Sequence, residues 1–108
     1  MARIPGISPI HLARLRIGCS SLNYHLSENL HVINNAACQC GFYREDPDHY
    51  FLSCPIYYAQ RRNLFDDLGE IQITSAHDLI HGIDRCDLEK NIRIIDAALK
   101  FVNDSKRF

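Results

Sequence analysis

The chain has 108 residues, which is the size of one domain with a single hydrophobic core. Its 46% hydrophobic and 23% charged residues exclude a disordered tail or a fibre, and a net charge of −1 argues against a general polyanion binder. No apolar run approaches the ~18 residues that span a bilayer, and no signal peptide is evident. We therefore expect an intracellular protein, nuclear or cytoplasmic, without a membrane segment.

Two short helices are predicted in the first third of the chain. The first begins at Ser8 and Pro9, because a hydroxyl can cap free N–H groups and proline suits the first helical position. It ends near Gly18. Ser20 or Ser21 can cap the second. The apolar face of this second helix repeats every four residues, at Leu22, Leu26 and Leu30.

A short helix and then a longer one are predicted in the middle of the chain. Asp46 and Pro47 form a cap-plus-proline start for the short helix, which carries His49. The longer helix starts after Pro55 and ends at Gly69. Residues 70–74 alternate apolar and polar side chains, but a five-residue segment without a partner makes a poor strand.

Two more helices complete the predicted all-α fold. Ser75 can cap a short helix that runs to Gly82, and Asp87 can cap the last helix. The last helix carries an apolar stripe at helical spacing, formed by Leu88, Ile92, Ile95, Leu99 and Val102.

A cysteine and histidine pattern carries the chemistry of this sequence. Cys38, Cys40, His49 and Cys54 follow the spacing C-x-C-x8-H-x4-C, and three thiolates with one imidazole are a ligand set for tetrahedral structural zinc. Gly41 allows the chain to turn back through positive φ after the second thiolate. Five cysteines cannot pair completely within one chain, and metal binding or burial of reduced thiols is the expected use.

The spacing between His49 and Cys54 sets a geometric condition. Residues five apart on one continuous α-helix point about 140–150° apart and cannot share a metal ion. The helix that bears His49 must therefore end before Cys54, and Pro55 supplies the break. Cys54 then caps the next helix, whose dipole favours a thiolate. On spacing alone, the alternative is a fold without metal, with two turn cysteines, a surface histidine and a buried cysteine.

The cysteine and histidine pattern is part of a longer series of five motifs that occur in a fixed order along the chain. They are LARLRIG at 12–18, LNYHL at 22–26, CQCG at 38–41, DHYFLSCP at 48–55 and YAQRR at 58–62. Together they resemble the C-terminal segment of non-LTR retrotransposon polyproteins, which follows the reverse transcriptase and carries a CCHC zinc knuckle. The resemblance is close over residues 9–62 and weak from there to the terminal Arg107 and Phe108. The polymerase palm and the endonuclease domain are absent from this chain.

The resemblance implies a small all-α, multi-helix domain organised around one structural CCHC zinc ion. Residues 1–108 form a single domain, with a zinc-knuckle segment at 9–62 and a C-terminal helical segment at 63–108. The implied function is that of a zinc-binding, nucleic-acid-binding C-terminal fragment of a non-LTR retrotransposon reverse transcriptase without catalytic domains of its own. RNA or DNA is the implied partner.

Four arginines are the candidate phosphate contacts: Arg14, Arg16, Arg61 and Arg62. Three tyrosines are candidate stacking groups for bases: Tyr24, Tyr43 and Tyr50. Residues 63–108 carry more acidic than basic side chains, so an anionic partner should meet the first 62 residues. We expect weak, salt-dependent binding. A solvated basic face without nucleic acid is the alternative interpretation.

A protein-interaction module is the alternative function. In that hypothesis the domain is a domesticated or vestigial retroelement remnant. The stripe from Leu88 to Val102 then docks on a reverse transcriptase or another protein domain.

Catalysis by this chain is not expected. The acidic pairs at 45–46 and 66–67 fall at charged or capping positions, and solvation accounts for them. His77 and His81 lie one helical turn apart, but no glutamate adjoins His77 and no third ligand is evident, so a surface pair is predicted. A thiolate held by zinc cannot act as a nucleophile.

The remaining cysteines and histidines are predicted to have roles other than metal binding. Cys19 and Cys86 are expected to be buried hydrophobes or spare thiols. His25 and His31 lie near the zinc motif in the sequence, and we expect them to face solvent or to cap helices.

Overall fold

The structure, a computed structural model, describes residues 10–108 and is all-helical over that range. The predicted first-helix start at Ser8 and Pro9 lies outside the described residues. The absence of strands between residues 10 and 108 confirms the all-α class. Four α-helices are present: α1 (Ile10–Arg16), α2 (Tyr58–Leu68), α3 (Ala76–His81) and α4 (Leu88–Ser105). Two π-helical turns, His25–Asn29 and His49–Ser53, and a 3₁₀ turn, Pro55–Tyr57, precede α2.

The core forms where α4 packs against α2, α3 and α1. Tyr50 is fully buried at its centre and makes edge-to-face ring contacts with Phe101 of α4 and with the terminal Phe108. Its hydroxyl lies 2.6 Å from the Ser105 hydroxyl. Because α2 crosses the predicted boundary at residue 62 and both segments supply core residues, the metal-binding segment and the C-terminal segment share one core.

The buried face of α4 differs from the predicted stripe. Of the five stripe residues, Leu99 and Val102 are buried, whereas Leu88 is 76% exposed. The fully buried positions include Ile94 and Phe101, which the stripe did not contain. Since α4 contacts helices on several sides, its apolar face is wider than one stripe and rotated from it. Leu99 and Val102, which the alternative function places against a partner, therefore pack within this domain.

Three of the four helix caps predicted within residues 10–108 are hydrogen-bonded, and one of them is Ser20, whose hydroxyl accepts the Leu22 N–H at 3.2 Å. An Asp46 carboxylate oxygen accepts the backbone N–H of His49 at 2.8 Å, and Asp87 accepts the N–H of Lys90 at 2.9 Å. At the start of α3, Ser75 makes no side-chain cap bond. Asp48 takes its place and accepts the Ala76 N–H at 2.8 Å, which ties α3 to the turn that carries His49.

The second predicted helix is a short π-helical turn instead. The Leu30 N–H donates to the carbonyl of His25 at 2.9 Å, an i→i+5 bond. His25 is buried, with Nδ1 2.6 Å from the Ser20 hydroxyl, so the prediction of a solvent-facing ring is wrong for this residue. Burial lowers the pKa of His25. The negative charge of Asp46 acts in the other direction and raises it by less. His31 is exposed as predicted.

Across residues 10–108, the structure contains no helix that is both long and apolar enough to span a membrane.

Candidate metal centre

The four predicted ligands come together in one cluster. The Sγ atoms of Cys38, Cys40 and Cys54 and one ring nitrogen of His49 all lie within 4.8 Å of one another. Three of these side chains are buried, and that of Cys40 is half-buried. The fold therefore assembles a Cys₃His donor set from three separate backbone turns.

A tight turn presents the first two thiols on the same side. The N–H of Gly41 donates to the Cys38 carbonyl at 3.0 Å, and the N–H of Cys38 donates to the Phe42 carbonyl at 2.8 Å. Gly41 has a φ of +101°, a conformation that side chains with a Cβ rarely adopt. The predicted role of Gly41 is confirmed, because the chain reverses there and returns Phe42 towards the ligands.

The π-helical turn His49–Ser53 brings His49 and Cys54 to the same side. Residues five apart in an α-helix would point in different directions. The N–H of Cys54 donates to the His49 carbonyl at 2.8 Å, an i→i+5 bond that places these residues one turn apart. The helix ends before Cys54, as predicted, and Cys54 itself is extended with ψ 122°. Pro55 then begins the 3₁₀ turn that leads into α2.

The distances within the cluster fit a tetrahedral zinc ion. The Cys38 and Cys54 sulfurs are 3.7 Å apart, and the Cys40 sulfur is 3.2 Å from Nε2 of His49. With zinc–sulfur bonds near 2.3 Å, the sulfurs of a tetrahedral site lie about 3.8 Å apart. All five cysteines are free thiols, so no disulfide competes for the ligands. The residues present therefore fit one zinc ion.

Stacking fixes the orientation of the His49 ring. The Phe42 ring lies parallel to the imidazole, at 7° and with a centroid separation of 4.3 Å. Nε2 faces the Cys40 sulfur, whereas Nδ1 is buried without a hydrogen-bond partner in the described chain. Burial lowers the pKa of His49, and this effect exceeds that of Asp46 and Glu45, whose negative charges raise it. The lowered pKa favours the neutral imidazole that a metal requires.

The thiols differ in their proton affinity. Burial raises the pKa of Cys38 to about 12 and also raises the pKa of Cys54. The backbone N–H of Phe42 stabilises the Cys40 thiolate and lowers its pKa. A metal ion must therefore displace protons from Cys38 and Cys54, and metal affinity should fall as the pH falls.

Arg61 supports the site from behind. Its guanidinium donates to the Phe51 carbonyl at 2.9 Å and to the Cys54 carbonyl at 2.6 Å, and so holds the backbone between two ligand-bearing turns. Partial burial lowers the pKa of Arg61. The side chain that was predicted to contact phosphate is thus hydrogen-bonded within the domain.

A buried ion pair supports the site from the other side. Glu45 is 3% exposed and receives two hydrogen bonds from the Arg107 guanidinium, at 2.9 and 2.7 Å. Glu45 also accepts the Asn23 N–H at 2.8 Å, and Arg107 donates to the Ser21 carbonyl at 2.7 Å. One Glu45 oxygen lies 4.0 Å from the Cys38 sulfur, so this pair connects the metal loop to the end of the chain.

The interpretation of the 45–46 acidic pair as solvated is therefore wrong. Glu45 and Asp46 are both buried, and Asp46 pairs with Arg44 at 2.8 Å. No local sequence signal distinguishes Glu45, because its partner Arg107 lies 62 residues away. The second acidic pair, Asp66 and Asp67, is exposed as predicted.

The other candidate nucleic-acid residues are distributed unevenly between surface and core. Arg14, Arg16 and Arg62 are exposed, although Arg16 also donates to the Ile80 carbonyl at 2.7 Å. Tyr43 is 70% exposed beside the metal loop, whereas Tyr50 is buried and is not available to stack on a base. Two tyrosines lie against the guanidinium of Arg44, at centroid distances of 5.2 Å for Tyr24 and 5.7 Å for Tyr43.

The two remaining thiols lie outside the cluster. Cys19 is exposed and Cys86 is half-buried against the core.

Comparison of the chain with protein-family models, curated proteins and solved structures finds no match. What identifies this site is its own donor set: four zinc-type ligands on three backbone turns, at spacings that a single ion can fill.

Proposed function

We propose that this domain holds one structural zinc ion through Cys38, Cys40, His49 and Cys54, and acts as a non-catalytic nucleic-acid-binding module. The observation that carries the metal assignment is the convergence of four donor atoms within 4.8 Å. Three thiolates and one imidazole complete a tetrahedral shell and leave no position for a substrate, as in structural zinc sites. The zinc ion supplies cross-linking of three backbone turns, not chemistry.

Zinc stoichiometry and chelation test the metal assignment. We expect the purified protein to contain one zinc ion per chain, and a strong chelator to reduce its helical circular dichroism, because binding free energy at such sites is folding free energy of about 10 kcal/mol or more. Acidification should release the ion, since protons compete for the Cys38 and Cys54 thiolates. Protein without stoichiometric metal, or helicity unchanged by chelation, would contradict the assignment.

Exposed arginines and the family resemblance support the nucleic-acid part of the proposal. Arg14, Arg16 and Arg62 are exposed within the segment that has no excess of acidic side chains. Tyr43, which is 70% exposed, offers a ring for base stacking. The net charge of −1 provides little long-range attraction, so we expect weak binding of RNA or DNA.

Salt dependence and charge reversal test nucleic-acid binding. If three arginines each neutralise one phosphate, affinity should fall about 20- to 40-fold between 50 and 200 mM salt. Arg14→Glu with Arg62→Glu should abolish a gel shift while zinc is retained, since within residues 10–108 both side chains are exposed and neither is hydrogen-bonded to a residue of the Cys₃His cluster. Arg85→Glu with Lys90→Glu makes the same charge change at two exposed positions of the C-terminal segment and should bind like the parent. Equal binding by all three proteins would contradict the proposal.

A protein-interaction module remains the second candidate, on a different face from the one predicted. The outer side of α2 exposes two aromatic side chains, Tyr58 at 61% and Phe65 at 41%, and Ile56 beside it is 47% exposed. Docking of a reverse transcriptase or another protein domain on this apolar face would be insensitive to salt. The same titration therefore separates the two candidates.

A further inference from the structure

A pair of histidines lies on α3, apart from the Cys₃His cluster. His77 and His81 occupy adjacent turns of α3, and their ring centroids are 4.4 Å apart with the planes tilted by 31°. Both residues are exposed. Within residues 10–108, neither imidazole has a hydrogen-bond partner, so their nitrogens are available to a ligand.

The two rings face a cavity that also contains acidic side chains. This cavity of about 300 Å³ lies between α1, α3 and the turn that begins at Pro47. Its lining includes His77, His81 and Asp48, together with Asp46 and its ion-pair partner Arg44. Asp48 accepts the N–H of Ala76, the residue directly before His77, so its carboxylate is fixed at the start of the same helix. Two imidazoles are donors of the type that divalent transition metals prefer.

We propose that His77 and His81 form a second, exchangeable site for a divalent transition metal ion. Histidines at i and i+4 on one helix face can place one nitrogen each on a shared ion, as the zinc-binding helices of metalloproteases do. Small side-chain rotations are enough to turn the rings to a common ion, because both are exposed. Water fills the remaining positions.

The protonation state supports binding near neutral pH. Burial, followed by the charges of His77 and Arg16, lowers the pKa of His81. Neutral imidazole is the form that binds metal, so the lowered pKa of His81 favours binding. The site differs in chemistry from the Cys₃His cluster: it is open, solvent-accessible and without thiolates, which predicts weak affinity and fast exchange.

Nickel binding to the zinc-loaded, untagged protein tests the proposal. Cys19→Ser and Cys86→Ser remove the outlying thiols, so that added Ni²⁺ meets imidazoles only. We expect one Ni²⁺ per chain by calorimetry, with selective paramagnetic broadening of the His77 and His81 ring signals in NMR spectra. His77→Ala or His81→Ala should weaken binding at least about tenfold, since even outer-shell partners of metal ligands contribute that much.

The control is His31→Asn, which removes another exposed imidazole at a position with φ +55°, where asparagine is tolerated. This variant should bind Ni²⁺ like its background. The proposal is overturned if His77→Ala and His81→Ala bind as before, or if His31→Asn causes the same loss. Elemental analysis for retained zinc keeps this result separate from the structural zinc assignment.

Discussion

Cys54→Ser is expected to abolish stoichiometric zinc binding and to unfold the domain under conditions in which the parent is folded. Cys54 is fully buried, its sulfur lies 3.7 Å from that of Cys38, and its backbone N–H closes the turn that carries His49. A serine hydroxyl is a poor zinc ligand, so the free energy of metal binding is lost with the thiolate. That loss is comparable with the total stability of about 5–15 kcal/mol that is usual for a domain.

The matched controls are the same substitution at the two outlying thiols. Cys19→Ser affects an exposed side chain and Cys86→Ser a half-buried one, so each should cost roughly 1 kcal/mol or less. In a domain of this size that corresponds to a fall in Tm of about 4–8 °C at most. Zinc analysis and thermal melts of the three variants check the assignment. Equal melting shifts in all three would show that Cys54 is not a ligand.

The Cys₃His cluster could be predicted from the sequence because the signals that position its residues are local. Gly41 follows its thiols directly, Asp46 caps the turn three residues before His49, and Pro55 ends that turn at Cys54. Each of these signals acts within a few residues of the ligand that it places, and each was found as predicted.

The π-helical geometry between His49 and Cys54 could not be predicted in the same way. The argument from the α-helical period correctly required a break before Cys54, but it did not provide the i→i+5 bond that brings the two ligands together. Tyr50 and Phe51 of this turn are both fully buried, and both pack against Phe101, which lies far away in the sequence. Tyr50 was interpreted as a surface stacking group for the same reason: its burial depends on distant residues of α4.

Side chains with roles in long-range bonds were missed or misassigned. Arg61 reads as a surface cation in the sequence, yet it donates to the carbonyls of Phe51 and Cys54. Glu45 reads as a solvated acid, yet it is buried against Arg107. In both cases the partner group is set by the fold and not by neighbouring residues, so residue type and local spacing carry no information about it.

Arg107→Ala is expected to destabilise the domain by about 3 kcal/mol, because it leaves the buried carboxylate of Glu45 without its charge partner. The Glu45 side chain is only 4% exposed, and the guanidinium of Arg107 bonds both of its oxygens. Removal of Arg107 also releases the Ser21 carbonyl. Chemical denaturation of the zinc-loaded protein measures the loss. Lys106→Asn removes a neighbouring exposed charge at φ +55° and should change stability little.

A double-mutant cycle separates the ion pair from general damage at the chain end. Glu45→Gln removes the charge but keeps an oxygen that can accept the Asn23 N–H. In the Arg107→Ala background, Glu45→Gln should therefore restore part of the lost stability, since no unpaired charge is then buried. Zinc affinity should fall in Arg107→Ala, because Glu45 lies against the Cys38 loop. It should recover in the double variant together with the stability. Strictly additive losses in the cycle would mean that the terminal segment stabilises the metal loop by packing alone.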